Sequence, residues 1–213
     1  MRYTIVILTY NRYPFLKRLL RYYKESGVMN PILVLDSSTD KSDDTDLVGL
    51  LDQSNIQRIT FPSYTTIAKK ISRGLQNVQT PYAALCADDD FLIPQSLTTC
   101  CDFLDRNQDY NSAHGIYVNH KLQYEGPESE VLWDVLYPLS RSNVDKSAFN
   151  RVRKFFPYNY SSYPFYAVNR TQELQIIWEE TSKYTSGLSG WAEIFPMCLS
   201  IIRGKKTFYT VCL

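Results

Sequence analysis

Three consecutive carboxylates, Asp88-Asp89-Asp90, follow the run Tyr82-Ala83-Ala84-Leu85-Cys86-Ala87. That run is almost continuously apolar and reads as a strand buried on both faces. Adjacent carboxylates at the end of such a strand repel one another, and a divalent cation among them relieves the repulsion. The alternative is a solvated acidic turn leading into a helix that Pro94 begins. Taken alone the cluster fits either reading, so the elements that position it must decide.

Residues 2–9 form a first strand, too continuously apolar for an edge position, followed by the turn Tyr10-Asn11-Arg12. Pro14 opens a helix whose apolar residues Phe15, Leu16, Leu19, Leu20 and Tyr23 keep helical spacing until Gly27. A second buried strand over 31–36 ends at Asp36, and Asp43 or Asp44 caps a short helix after it. A third strand covers 56–61. Tyr64, Ile67, Ala68, Ile71 and Leu75 then mark one helix face, with Lys69, Lys70 and Arg73 on its other sides. The order β-α-β-α-β-α-β predicts a mostly parallel sheet with helices on both faces, a Rossmann-like α/β fold. Such sheets bind ligands beyond the carboxyl ends of their strands, where strand order switches. Thr9–Arg12, Asp36 and Asp88–Asp90 would all meet on that edge.

Beyond residue 101 the pattern loosens. Strands are expected over 112–119, 163–169 and 207–213, with 120–124 pairing back as a hairpin. Residues 125–139 read as loop. Helices are expected over 144–154, from Thr171, and around Trp191 after a turn framed by Gly187 and Gly190.

The 213 residues suit one domain, with 44% hydrophobic and 21% charged residues. A net charge of +1 gives no electrostatic case for nucleic acid. Five cysteines without metal spacing suit reduced thiols in a cytoplasmic protein. No run is long enough to span a membrane, which leaves a peripheral contact at its inner face.

Ile5-Val6-Ile7-Leu8-Thr9-Tyr10-Asn11-Arg12 resembles the first strand and turn of family 2 glycosyltransferases with the GT-A fold. Asp36-Ser37-Ser38-Thr39-Asp40 resembles their second-strand motif, with Ser37 where Gly is common, and Asp88-Asp89-Asp90 matches their Asp-x-Asp metal motif. The resemblance covers residues 2 to about 97. It implies a nucleoside diphosphate sugar as donor and Mn²⁺ or Mg²⁺ as cofactor. Thr9 and Asn11 would lie along the donor, with Asp36 accepting from the base edge. Asp88 would contact ribose, and Asp90 would bind the metal. Because the middle residue is itself an Asp, which two of the three carboxylates act stays open, with Asp90 and Asp88 the metal pair and Asp88 and Asp89 beside the donor. Residues 1–118 would then be the donor-binding part and 119–213 the acceptor side of the same domain.

An inverting transferase also needs a carboxylate that deprotonates the acceptor hydroxyl. Glu193 lies at the separation from the metal motif that the family resemblance implies, with Asp134 as the substitute. The aromatic run 155–166 offers either a stacking surface for an acceptor sugar or ordinary packing. Arg151, Arg153 and Lys154 make a basic face, solvated or turned toward an anionic lipid-linked acceptor. Lys69 or Lys70 could reach donor phosphates. His114 and His120 lack ligand partners in sequence and read as packed or surface residues. Asn159-Tyr160-Ser161 and Asn169-Arg170-Thr171 fit a glycosylation pattern that a cytoplasmic chain would not present.

Four other readings compete. A receiver-type signalling domain expects acids after the first strand, where Thr9-Tyr10-Asn11 stands. A phosphatase expects its Asp-x-Asp at the first strand, and a sugar-phosphate nucleotidyltransferase expects a Gly-rich loop there. A GT-A domain that binds nucleotide-sugar without turnover shares every motif above.

Overall fold

The computed structural model describes residues 1–40, 42–122, 131–136, 142–156, 163–184 and 191–208. Every residue of β1 (Tyr3–Thr9) and β2 (Ile32–Asp36) is buried, as their unbroken apolar runs require. Between them α1 (Tyr13–Glu25) carries Pro14 in its first turn and buries Leu16, Leu19, Leu20 and Tyr23. Gly27 follows at φ 67°, the left-handed conformation that ends helices cheaply only at glycine. Asp44 caps α2 (Thr45–Leu51), accepting from the Asp46 and Leu47 amides. The half-exposed edge strand β3 (Ile56–Thr60), α3 (Ile67–Leu75), β4 (Tyr82–Ala87) and α4 (Pro94–Arg106) complete the regular alternation.

The second half supplies β5 (Tyr110–His114), β6 (Tyr117–Leu122), β7 (Val131–Leu136), α5 (Ala148–Phe155), a 3-10 helix (Tyr163–Tyr166), β8 (Val168–Arg170), α6 (Thr171–Tyr184), α7 (Trp191–Arg203) and β9 (Lys205–Phe208). The main sheet runs β3-β2-β1-β4-β8-β5-β9; β6 and β7 pair separately. β1, β2, β3 and β4 are mutually parallel, and β8 is antiparallel to both β4 and β5. The predicted mostly parallel α/β sheet is therefore present, with one reversed strand inserted from late in the chain.

Alternation along β1 divides the core. Tyr3, Ile5 and Ile7 join α1, α2 and α4 on one face of the sheet. Val6 and Leu8 join Ala68, Ile71 and Leu75 of α3 and Leu174, Ile177 and Trp178 of α6 on the other. α3 comes unusually close to the sheet: a Cβ on Gly74 would lie 2.5 Å from the methyls of Leu35. Lys70, one helical turn earlier, shares that inward face.

Several expectations need correction. The strand over 112–119 is two strands, β5 and β6, broken at residues 115–116. β6 pairs with β7, so 131–136 is strand and not loop; its mostly exposed residues lack the one-sided alternation that marks a strand. Residues 163–166 form a 3-10 turn, and only 168–170 extend. Pro164 cannot donate to a sheet ladder. Tyr64 precedes α3 and is exposed, while Lys70 is buried. The final strand begins at Lys205; residues 209–213 lie outside the described residues, as do 157–162 and the Gly187–Gly190 turn.

Candidate active site

Strand register brings the chemistry together. Thr9 pairs with Asp36, Asp36 with Thr60, and Leu8 with Ala87, so Asp88 emerges beside Thr9 at the carboxyl edge. β1 is also where strand order turns, with β2 on one side and β4 on the other.

Asp36 is 2% exposed. Its Oδ1 accepts from the Ser38 amide at 2.8 Å, and Oδ2 accepts from Arg58 and from the Tyr13 hydroxyl at 3.1 Å. Burial alone would raise this carboxyl, yet the Ser38 hydrogen bonds and the Arg58 charge together hold it below its ordinary pKa. The residue stays ionised at neutral pH.

Asn11 adopts φ 53°, a conformation that asparagine tolerates better than most side chains. Its amide donates to Ser38 Oγ at 2.8 Å; its Oδ1 accepts from the Thr39 amide at 2.8 Å and its Nδ2 donates to Thr39 Oγ1 at 3.0 Å. The turns after β1 and β2 are thereby fastened to each other. Beneath them Lys70 Nζ donates to the Thr9 carbonyl at 3.1 Å and to Ser37 Oγ at 2.9 Å. Burial lowers its pKa, opposed by the charges of Asp36 and Asp88.

The three consecutive acids take different environments. Asp88 is buried, its Oδ2 accepting from Thr9 Oγ1 at 2.8 Å and its Oδ1 lying 3.3 Å from Arg12 Nη1. Burial raises its pKa against the pull of Thr9 and Arg12. Asp89 pairs with Arg12 Nη2 at 2.6 Å, and its backbone oxygen accepts from Arg18 at 3.1 Å. Asp90 reaches solvent, but protein atoms crowd its carboxyl. Burial and then the Asp89 charge raise its pKa, partly offset by a hydrogen bond from the Tyr166 hydroxyl and the Arg12 and Arg18 charges.

These acids do not form a closed metal cage. Among the described residues no three His, Cys, Asp or Glu side chains converge on one point. The donor set nonetheless fits a hard divalent cation of the kind that takes one or two carboxylates and completes its shell with phosphate and water. A cleft of about 430 Å³ lies at the other end of the sheet, beside Thr4, Ile32 and Ile56, and contains none of these residues.

The sequence profile of Glycosyl transferase family 2 matches residues 4–164. This chain belongs to glycosyltransferase family 2. Its structure is similar to S. aureus TarS 1-349, at 13% identity and TM-score 0.64, covering 99% of this chain and 58% of that one. A structure of the same TarS portion in complex with UDP matches equally well. A mannosyltransferase, PcManGT from Pyrobaculum calidifontis, in complex with GDP-Man and Mn²⁺, matches at 10% identity and TM-score 0.60, covering 99% of this chain and 55% of that one. The chain thus spans little more than half of these structures, and the likeness shows a shared GT-A fold. No curated protein sequence matches it.

The remaining expected residues of this family 2 chain are dispersed. Glu193 is the third residue of α7, and its side chain lies outside the described residues. Asp134 is exposed on β7, opposite Asn119. Arg151 is buried and donates to the carbonyls of Ile201, Asp145, Lys146 and Ile202, so it ties α5 to the end of α7. The basic face therefore reduces to Arg153 and Lys154. His114 is buried, which drives its pKa down to about 4, and His120 lies near Trp133. Asn169 is buried in β8, and Asn159 lies outside the described residues. Among the described residues no helix is long and apolar enough to cross a membrane.

Sequence reasoning missed Arg58, Tyr13 and Tyr166 as partners of the acids, and Lys70 as a buried tie. Ion pairs between strands leave no spacing in a sequence. For Lys70 a signal did exist: Gly74 four residues later marks the helix face that approaches the sheet closely.

Proposed function

We propose that this chain is a metal-dependent glycosyltransferase that moves a sugar from a nucleoside diphosphate donor to a hydroxyl acceptor with inversion, in polysaccharide or glycoconjugate synthesis. The observation that carries this reading is the meeting of the Thr9–Arg12 turn, Asp36 and Asp88–Asp90 on one edge, at the switch in strand order. Family membership supplies the reaction class. Nucleotide complexes of similar folds support the donor class.

In this reading Asp36, kept ionised by Ser38 and Arg58, accepts from the base edge. The Thr9–Asn11 turn lies along the donor, and Asp88 faces its ribose. Asp90 and Asp88 offer carboxylate oxygens to Mn²⁺ or Mg²⁺, which when bound neutralises charge on the leaving diphosphate. Asp89 is the counterion of Arg12 and orders the corner. Glu193 is the base. The donor side comprises residues 1–118 and the acceptor side 119–213, with a carbohydrate or lipid-linked acceptor. Thiols at Cys86, Cys101 and Cys198 that are not joined in disulfides accord with a cytoplasmic setting.

Thermal shift with UDP and GDP, each with Mn²⁺ and with chelator, tests this reading. A nucleotide at about a hundred times its Kd adds about 2.7 kcal/mol, or roughly 5–10 °C. Asp90→Asn is expected to remove the metal-dependent part. Glu193→Gln is expected to keep the shift and lose sugar transfer. Identical melting with and without metal for both nucleotides refutes the metal-dependent donor site.

A further inference from the structure

Arg12 is held more firmly than an exposed arginine needs to be. Its guanidinium lies 4.6 Å from the centre of the Phe15 ring, and Arg18 stacks on the same ring at 5.2 Å. Arg18 also stacks on Phe91 at 5.0 Å, and Phe91 meets Tyr22 edge to face at 5.0 Å. The result is a ladder, Arg12–Phe15–Arg18–Phe91–Tyr22, running beside the acid corner. Stacking on Phe15 covers one face of the Arg12 guanidinium and leaves its in-plane N–H groups for partners. For Arg12 those groups point at acids: Nη1 at Asp88 Oδ1 and Nη2 at Asp89 Oδ2.

Asp88 is thus shared. One oxygen takes the Thr9 hydroxyl, and the other faces a fixed positive charge. A cation approaching Asp88 meets the guanidinium at short range, in a setting where charges interact more strongly than in bulk water. We infer that Arg12 is a built-in counterion that competes with the divalent cation for the Asp88 carboxylate. The donor diphosphate relieves the competition by offering Arg12 anionic oxygens in place of Asp88. Cation and nucleotide then bind cooperatively, because each removes an obstacle to the other. The inference rests on the metal reading above and assigns Arg12 a positioning role that the motif resemblance does not contain.

The test is direct: titrate Mn²⁺ and count free ion by its electron paramagnetic resonance signal, with and without saturating UDP or GDP. Arg12→Gln is expected to tighten Mn²⁺ binding about tenfold or more without nucleotide, and less than about threefold with it. Arg12→Lys, which keeps the charge, is expected to retain most of the weak metal binding. Arg18→Gln, which removes a charge that rests on Phe15 and Phe91, donates to the Asp89 backbone oxygen rather than to a carboxylate and acts on Asp90 only as a weaker neighbour than Arg12, is expected to change the affinity less than about twofold. Unchanged or weaker Mn²⁺ binding in Arg12→Gln overturns the inference, as does an equal gain in Arg18→Gln, which would mark a general charge effect. A full tenfold difference that persists with nucleotide bound overturns the exchange. Failure of every protein to bind Mn²⁺, with or without nucleotide, instead overturns the metal reading itself.

Discussion

Lys70 and Lys206 are almost equally buried, at 5% and 4% exposure, yet they sit in opposite kinds of surroundings. Lys70 lies at the carboxyl edge of β1 and β2, with two oxygen acceptors and the charges of Asp36 and Asp88 nearby. Lys206 lies in β9 near α7, and among the described residues its Nζ has no hydrogen-bond partner. It borders a cavity of about 20 Å³, large enough for one water, lined by Phe165, Trp178, Met197 and Ser200. Burial pushes its pKa down to about 7, opposed only in part by the Cys198 thiol. Burying a cation is costly in both places. At the first the cost is offset by partners that order two loops of the site; at the second the described structure shows no such return.

The sharpest way to break the contrast is Lys70→Met. It removes two hydrogen bonds and leaves Asp36 and Asp88 with less positive charge, which should cost about 2–4 kcal/mol, or roughly 5–15 °C in melting temperature. Nucleotide-induced stabilisation should fall with it. Melting within a degree or two of the parent would show that the partners of Lys70 return no more than its burial costs.

Lys206→Met should move the other way, raising stability by about 1–4 kcal/mol at neutral pH. Its pH dependence fixes the cause. The ordinary value is 10.5 and the folded value about 7, so between them the unfolded chain holds a proton that the folded chain has released. Stability from this group therefore rises with pH across that window, and its penalty is complete below pH 7. The gap between variant and parent should be widest below pH 7 and close toward pH 10.5 in denaturant titrations. A constant gap would mean that methionine gains by packing and not by removing a buried charge.

Ser37→Ala is the smallest step. It takes away one acceptor from Lys70 and should cost about 0.5–1.5 kcal/mol by urea unfolding. A loss as large as that of Lys70→Met would place the whole contribution of the lysine in this one bond.

The same contrast explains what could be read from the chain alone. β1, β2 and β4 are unbroken apolar runs with turn residues at their ends, so their existence, order and shared edge follow from periodicity and connection rules. The acids at that edge were legible for the same reason. The fate of individual charges was not. Lys70 reads as an outward helix residue because lysines usually are; only the close approach of Gly74 to Leu35 turns it inward. Arg58 meets Asp36 because β3 pairs in register with β2, which no local pattern reports. Arg12 was visible as part of a motif, but its pairing with Asp89 depends on two turns almost eighty residues apart being brought together. In the second half, β7 exposes most of its residues and the 3-10 turn at 163–166 is built from aromatics and proline. Neither carries the alternation from which a strand or its absence is inferred.

The antiparallel strand β8 has a consequence for biosynthesis. It fits between β4 and β5, although β4 ends at Ala87 and β8 begins at Val168. A nascent chain emerging from the ribosome can assemble β1 to β4 long before residue 168 appears. Throughout that interval Tyr82–Ala87 presents an unpaired, apolar edge to the surroundings. Synthesis of the second half is thus a race between docking of three residues, Val168–Arg170, and pairing of that edge with another nascent chain.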